Sequence, residues 1–128
     1  MVTIRDARLP QDAAAIRSID TRFTTDVIYD VETADHALSL KARRLSSPLR
    51  KRFPLDDLDD AAPLVERVLG YGRDLDARHV WLETSNLNAP GVAIYAALGF
   101  RLTGIDRTLY DGTPATGETA LFFSKPIG

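Results

Sequence analysis

The chain has 128 residues, 45% of them hydrophobic, and a net charge of −2, which predicts one soluble globular domain over residues 1–128. It has no cysteine and two histidines, so a disulfide framework is excluded and neither a metal site nor a histidine-based triad is expected. No apolar run approaches the roughly 20 residues that span a bilayer, and the first residues lack a signal-peptide pattern. We therefore expect a cytoplasmic protein.

Strand and helix patterns alternate in the N-terminal part of the chain. Apolar and polar residues alternate over Val2–Arg8, which predicts a strand. Residues 10–23 begin with a proline and continue with apolar residues at helical spacing, which predicts a helix. Residues 27–31 and 38–42 alternate in the manner of two strands, and residues 33–35 would form the hairpin connection.

Charge is segregated in the middle of the chain. A basic cluster is followed at once by an acidic run, which cancels much of its field. The basic cluster could bind nucleic acid, but a solvated strand edge and loop is the favoured interpretation because the whole chain is acidic. The cluster contains Lys41, Arg43, Arg44, Arg50, Lys51 and Arg52, and the acidic run contains Asp56, Asp57, Asp59 and Asp60.

The C-terminal part predicts helix, strand, helix, strand, strand. The first helix would be capped by Asp60 and carry an apolar face, and the strand after it is nearly continuous in apolar residues, as in a buried sheet position. The second helix stops at Gly99. The predicted elements are a helix over Ala61–Ala77, a strand over His79–Thr84, a helix over Pro90–Leu98, a strand over Arg101–Tyr110 and a strand over Glu118–Ser124.

Two residues of the second helix suggest chemistry. Asn88 stands where a strand gives way to the helix, and Tyr95 follows seven residues later, about two helical turns on. That spacing puts a carboxamide at the helix mouth and a phenol deeper on the same face. Taken alone, Asn88 is equally well a helix cap and Tyr95 a core tyrosine.

The stretch L-E-T-S-N-L-N-A-P-G-V-A-I-Y-A-A-L-G-F over Leu82–Phe100 resembles the GNAT superfamily of N-acetyltransferases. Three further segments are similar to streptothricin acetyltransferase-like members: R-F-P-L-D-D-L from Arg52, S-N-L-N-A-P from Ser85 and T-L-Y-D-G-T-P-A-T-G-E-T-A-L-F-F from Thr108. The resemblance implies an α/β (α+β) fold with a mixed, mainly antiparallel sheet flanked by helices. It also implies transfer of an acetyl group from acetyl-CoA to a primary amine of a small molecule, and hence a role in antibiotic resistance.

The resemblance assigns roles to individual residues. Tyr95 would lie near the acetyl-CoA sulfur and protonate the departing thiolate, and Asn88 would bond to the pantetheine arm or the helix mouth. Ala61 and Ala62, at the start of the first helix, would also lie on the cofactor side.

The acceptor side is less narrowly assigned. Three residues are the substrate-binding candidates, namely Glu83, Tyr110 and Glu118. Glu83, Glu118, Asp106 and Asp111 all remain open as the general base, and deprotonation through water is a further alternative.

One signature of the family is not in the sequence. A glycine-containing loop should open the first of these helices and cradle the CoA pyrophosphate, but D-D-L-D-D-A-A-P stands there. Either the chain has lost its central strands and this loop, or the sequence joins two parts of a longer polypeptide near residues 58–61. Without those strands, the strand at Val80–Leu82 is expected to have no sheet neighbour. The alternative function is therefore an inactive GNAT-like remnant that acts as an interaction or dimerisation module.

Overall fold

The computed structural model describes residues 5–8, 10–52 and 61–128, and only the backbone of residues 61–65. The described part contains helices and two antiparallel sheets, which confirms the predicted α+β class. Its elements are α1 Ala13–Arg17, β1 Arg22–Ala34, β2 Ala37–Arg52, α2 Ala61–Asp74, β3 His79–Ser85, α3 Ala89–Ala97, β4 Arg101–Asp106 and β5 Ala120–Pro126. The junction predicted near residues 58–61, the acidic run and the Asp60 cap lie outside these residues, except that α2 begins at Ala61.

A long hairpin forms the N-terminal sheet. β1 and β2 pair antiparallel from Arg22↔Arg52 to Ala34↔Ala37, with a bulge between Thr25 and Val27. The turn consists of Asp35 and His36, so the predicted hairpin is confirmed but its turn comes later and its strands are longer.

The basic cluster lies on this hairpin. Four of its six cations form ion pairs with carboxylates of the described residues, which agrees with the solvated-edge interpretation. These pairs are Lys41–Glu32, Arg43–Asp30, Arg44–Asp26 and Lys51–Glu118.

Two N-terminal predictions were wrong. The strand predicted over Val2–Arg8 is absent at residues 5–8, where Arg5 and the backbone of Arg8 donate to the carboxylate of Asp12, and its first three residues lie outside the described part of the chain. The predicted helix over residues 10–23 shrinks to α1, and Phe23 lies in β1 opposite Lys51. The β-branched residues that follow Phe23 favour a strand, and pairing with β2 extends that strand back to Arg22.

The C-terminal sheet has the order β3-β5-β4, with both pairs antiparallel. Leu121 and Phe123 of β5 are buried with Val92 and Phe100, and this cluster is the core of the described residues. α3 therefore packs on the sheet face that carries Leu121 and Phe123. Hairpin residues, among them Tyr29, pack against the same core.

β3 has a neighbour, contrary to expectation. It pairs with β5 along its whole length, so the prediction of an isolated strand was wrong. No other described strand pairs with its second edge, and the side chain of Trp81 is 66% exposed rather than buried. β3 is thus an edge strand in the described part of the molecule.

α2 is only partly packed. Leu69 and Gly72 are buried, and Gly72 lies so close to Ile127 that a Cβ there would clash with it. Val68 and Leu75 are exposed, although the sequence predicted them on the buried face.

Candidate active site

The turn from β3 to α3 is held by hydrogen bonds at every residue. Ser85 Oγ accepts from the backbone N–H of Leu87 at 3.1 Å, and the carbonyl of Ser85 accepts from Asn88 at 2.9 Å. The chain therefore enters α3 in one defined geometry.

Asn88 is the N-cap of α3. Its Oδ1 accepts from the backbone N–H of Gly91 at 3.0 Å, and its Nδ2 donates to Thr84 Oγ1 at 2.9 Å. The residue is 8% exposed, and both side-chain atoms bond within the chain. The position at the helix mouth agrees with the spacing argument, and the cap that the sequence left open as an alternative is present.

Gly91 is required by the same cap. A Cβ on Gly91 would clash with the Asn88 amide, which folds over the first turn of α3. Glycine there leaves room for the side chain that closes the helix mouth.

Tyr95 lies on the core side of α3. Its ring centroid is 6.3 Å from that of Phe100 and 6.2 Å from that of Phe123, with the planes inclined at 62° and 50°. The half-buried phenol therefore packs against the sheet face that carries Leu121 and Phe123. It shares α3 with Asn88, as the spacing predicted.

Two of the three substrate-binding candidates meet. Glu83 is opposite Phe122 in the β3–β5 register, and the Tyr110 hydroxyl donates to Glu83 Oε1. Because neighbouring residues of a strand point to opposite faces, Glu83 and Phe122 lie on the face away from Phe123 and Tyr95. The loop after β4 thus folds over this second face.

The third candidate, Glu118, joins the two sheets. Lys51 Nζ of β2 donates to both of its oxygens, and Ser85 Oγ donates to Oε2. The side chains of Lys51 and Glu118 are only 18% and 15% exposed. Ser85 and Glu83 are two residues apart on β3, so Glu118 approaches the same face as the Glu83–Tyr110 pair.

Asp106 ends β4 earlier than predicted. Its carboxylate accepts from the backbone N–H of Thr108 and Leu109 and from the Thr108 hydroxyl, at 2.7–3.1 Å. These bonds turn the chain away from β5, so the strand predicted through Tyr110 stops at Asp106. They also hold the pKa of Asp106 below its usual value, chiefly through the Thr108 backbone N–H. This carboxylate is therefore a weak proton acceptor, whereas Asp111 is exposed in the same loop.

Sequence reasoning missed Asn86, which bonds to both sheets. It exchanges two hydrogen bonds with the backbone of Tyr29 and two with the backbone of Thr119, at 2.7–3.0 Å. A signal existed, since an asparagine directly after a strand is a frequent turn residue. Its partners, however, are 57 and 33 residues away.

Known acetyltransferases resemble this chain in both sequence and fold. The chain is 28% identical to the streptothricin acetyltransferase of Streptomyces lavendulae, over 95% of this chain and 93% of that protein. Its fold matches the crystal structure of nourseothricin acetyltransferase with a TM-score of 0.84 at 29% identity, over 94% of this chain and 96% of the other. These similarities support a GNAT-superfamily, acyl-CoA-dependent N-acetyltransferase.

The chain has a second structural neighbour, which agrees with the fold. A putative streptothricin acetyltransferase from Bacillus anthracis, solved in complex with acetyl coenzyme A, aligns with a TM-score of 0.70 at 14% identity. It covers 91% of this chain and 92% of its own. No family model matches the sequence.

The chain also differs in length from the Streptomyces relative. The alignment with the Streptomyces protein extends over 177 residues, more than the 128 of this chain. The relative therefore has residues inside the aligned region that have no counterpart here.

Two further features of the described residues concern ligands and membranes. They contain no cluster of three or more histidine or carboxylate side chains that could hold a metal ion. Nor do they include a helix that is both long and apolar enough to cross a bilayer.

Proposed function

We propose that this chain transfers the acetyl group of acetyl-CoA directly to a primary amine of a small molecule, with antibiotics of the streptothricin class as the leading acceptors. The observation that carries the proposal is the β3–α3 unit, which has a capped helix mouth at Asn88 and a phenol at Tyr95. The name of the Streptomyces relative supports the acceptor class, and the acetyl coenzyme A complex of the Bacillus anthracis neighbour supports the donor.

The proposed reaction needs one proton delivered and one removed. The amine nitrogen attacks the acetyl carbonyl, the carbon–sulfur bond breaks, and the thiolate takes a proton from the Tyr95 hydroxyl. A phenol suits this step because it is a neutral donor at pH 7. The proton lost by the amine passes to water or to a carboxylate of the acceptor side and finally restores the phenol.

The two sides of the proposed site lie on opposite faces of the C-terminal sheet. Tyr95 packs on one face, while Glu83, Tyr110 and Glu118 belong to the other. Donor and acceptor can therefore meet around the edge formed by β3, near Ser85, where the strand ends. The Glu83 carboxylate favours a cationic amine on the acceptor side, whereas the charge of Glu118 is balanced by Lys51.

The pyrophosphate half of acetyl-CoA lacks its family loop in this sequence. Residues 53–60 lie outside the described part, and only the backbone of Ala61 and Ala62, at the start of α2, is described. The helix start supplies backbone N–H groups of the kind that bind phosphates, but the preceding aspartates oppose them. The length difference from the Streptomyces relative supports the predicted junction near residues 58–61.

The experiment is calorimetric titration of the full-length chain with acetyl-CoA, followed by a transfer assay with nourseothricin. Because the chain has no cysteine, a thiol reagent detects only the released CoA. We expect saturable binding and CoA release that depends on the amine. Absence of both would disprove the proposed function, and binding without release would leave a CoA-binding protein. Location in the cytoplasm stays a prediction.

A second candidate function is an interaction or dimerisation module without activity. The observation that favours it is the exposed β3 edge, with Trp81 66% exposed, together with the exposed side chains of Tyr71 in α2 and Leu75 in the turn after it. Unpaired edges with apolar side chains associate readily. Light scattering discriminates: a stable monomer at micromolar concentration would count against this module, whereas a homodimer without CoA release would favour it.

A further inference from the structure

The hydrogen bonds of Asn86 form a symmetrical pattern. Toward the hairpin, its backbone carbonyl accepts from Tyr29 N at 3.0 Å and its Nδ2 donates to Tyr29 O at 2.7 Å. Toward β5, its backbone N donates to Thr119 O at 2.9 Å and its Oδ1 accepts from Thr119 N at 2.8 Å. One residue thus satisfies both backbone groups of Tyr29 in β1 and of Thr119, which directly precedes β5.

Only asparagine makes this pattern with the backbone in place. Its side-chain amide carries one donor and one acceptor, so it reproduces a peptide group beside its own. Aspartate has the same shape but no donor for Tyr29 O, and alanine has neither group. The side chain therefore links the hairpin to the segment before β5, although no described strand pairs with both.

The contact is adjacent to the acceptor side of the proposed site. Thr119 follows Glu118, whose carboxylate is bonded to Ser85 and Lys51. Asn86 itself follows Ser85 and precedes the helix mouth by two residues. A shift of β1 at Tyr29 therefore moves Thr119 and Glu118 relative to β3.

We propose that Asn86 is a positioning residue that links the hairpin to the start of β5 and sets the placement of Glu118 for the amine acceptor. The inference rests on the proposed acetyl transfer for its kinetic part. It does not require Asn86 to touch substrate. Its action is on the acceptor side, so the binding of acetyl-CoA should be independent of it.

The test compares Asn86→Asp and Asn86→Ala with the wild type in two measurements. In hydrogen exchange followed by NMR, Asn86→Ala should lose at least tenfold protection at the Thr119 amide, which donates to Asn86 Oδ1, whereas Asn86→Asp keeps that acceptor and should keep most of the protection. In the transfer assay, KM for nourseothricin should rise at least fivefold, while the acetyl-CoA Kd changes less than twofold. Gln11→Glu is the matched control, because it makes the same amide-to-carboxylate change at an exposed site and should match the wild type.

Several outcomes would overturn the inference. Unchanged protection at the Thr119 amide in Asn86→Ala would show that the side chain of Asn86 makes no such link. Reduced protection with unchanged KM, or equal weakening of acceptor and acetyl-CoA binding, removes the positioning role and leaves a structural contact. If the wild type itself neither binds acetyl-CoA nor releases CoA, the proposed function and the positioning role both fail. The exchange data alone then decide whether Asn86 links the hairpin to the start of β5.

Discussion

The Tyr110 hydroxyl donates a hydrogen bond to Glu83 Oε1, which ties the loop after β4 to the middle of β3. The two residues are 27 positions apart, and both side chains are half-buried. This bond is the main polar contact that brings predicted acceptor-side residues together. It fixes the loop over the sheet face opposite α3.

Replacement of Tyr110 by phenylalanine should destabilise the fold. A hydrogen bond to a charged group contributes about 1.5–3 kcal/mol, and the half-exposed setting puts the expected loss at about 1–2 kcal/mol. Urea unfolding followed by tryptophan fluorescence measures it. Tyr71→Phe is the control, since Tyr71 is 64% exposed and should change the free energy of unfolding by less than about 0.5 kcal/mol. Equal effects of the two variants would contradict the role of the bond.

Replacement of Tyr95 by phenylalanine should lower turnover without loss of the fold. The ring contacts with Phe100 and Phe123 are kept, and only the hydroxyl is removed. General acid catalysis is worth roughly 10²–10⁴-fold, so kcat should fall about 100-fold. The acetyl-CoA Kd should change little, and Tyr71→Phe serves again as the control. A kcat within a factor of three of the wild type would exclude Tyr95 as the acid.

Replacement of Asn88 by alanine should loosen the start of α3. Loss of an N-cap costs about 1–2 kcal/mol, and the buried Thr84 hydroxyl loses its donor as well. Asn88→Asp keeps an acceptor for Gly91 and lets Thr84 donate, so its cost should be less than half as large. Thermal unfolding of the three proteins gives the ranking, and a ranking with aspartate below alanine would refute the cap account.

Buried and exposed ion pairs should differ in what they contribute. Glu118→Gln removes the charge that faces Lys51 in a pair only 15–18% exposed, and should cost about 2–4 kcal/mol. Asp30→Asn removes the partner of Arg43 in a pair 41–53% exposed, and should lower the urea midpoint much less than Glu118→Gln does. Both changes replace a carboxylate by an amide of the same shape. Similar urea midpoints for the two variants would show that Glu118 is not a link between the sheets.

The hydrogen bonds of Asp106 predict part of the acid sensitivity. Its folded pKa lies below the unfolded value of about 3.8, so its contribution to stability is complete above that value and is lost as pH falls through the folded pKa. Urea midpoints between pH 2 and pH 6 should therefore decline less steeply in Asp106→Asn than in the wild type. Asp111→Asn is the control, since its carboxyl makes no hydrogen bond to the described residues. Parallel declines in the wild type and Asp106→Asn would contradict this origin.

Local patterns predicted the C-terminal elements well. The spacing of apolar residues located α3 and β5, and Gly99, with φ of 88°, ends α3 as predicted. Asn88 was placed correctly at the helix mouth because capping is decided within a few residues. Such features depend only on neighbours in sequence.

The failures depend on distant partners. Phe23 follows a helical pattern but lies in β1, because pairing with Lys51 outweighs local propensity. Trp81 is apolar yet exposed, since its place at the sheet edge depends on which strands are present beside it. Asn86 was overlooked because its role is set by Tyr29 and Thr119, which periodicity does not reveal.

The tip of the hairpin projects from the rest of the described structure. Val31 and Leu40 are paired and pack against the core, whereas all residues from Glu32 to Ser39 are exposed. At about 3.3 Å per residue, the tip reaches roughly 10 Å past that last packed pair. It is thus a short arm whose root lies two residues from Tyr29. A fluorophore or an inserted peptide at Asp35 would lie outside the proposed active site and would report on this arm.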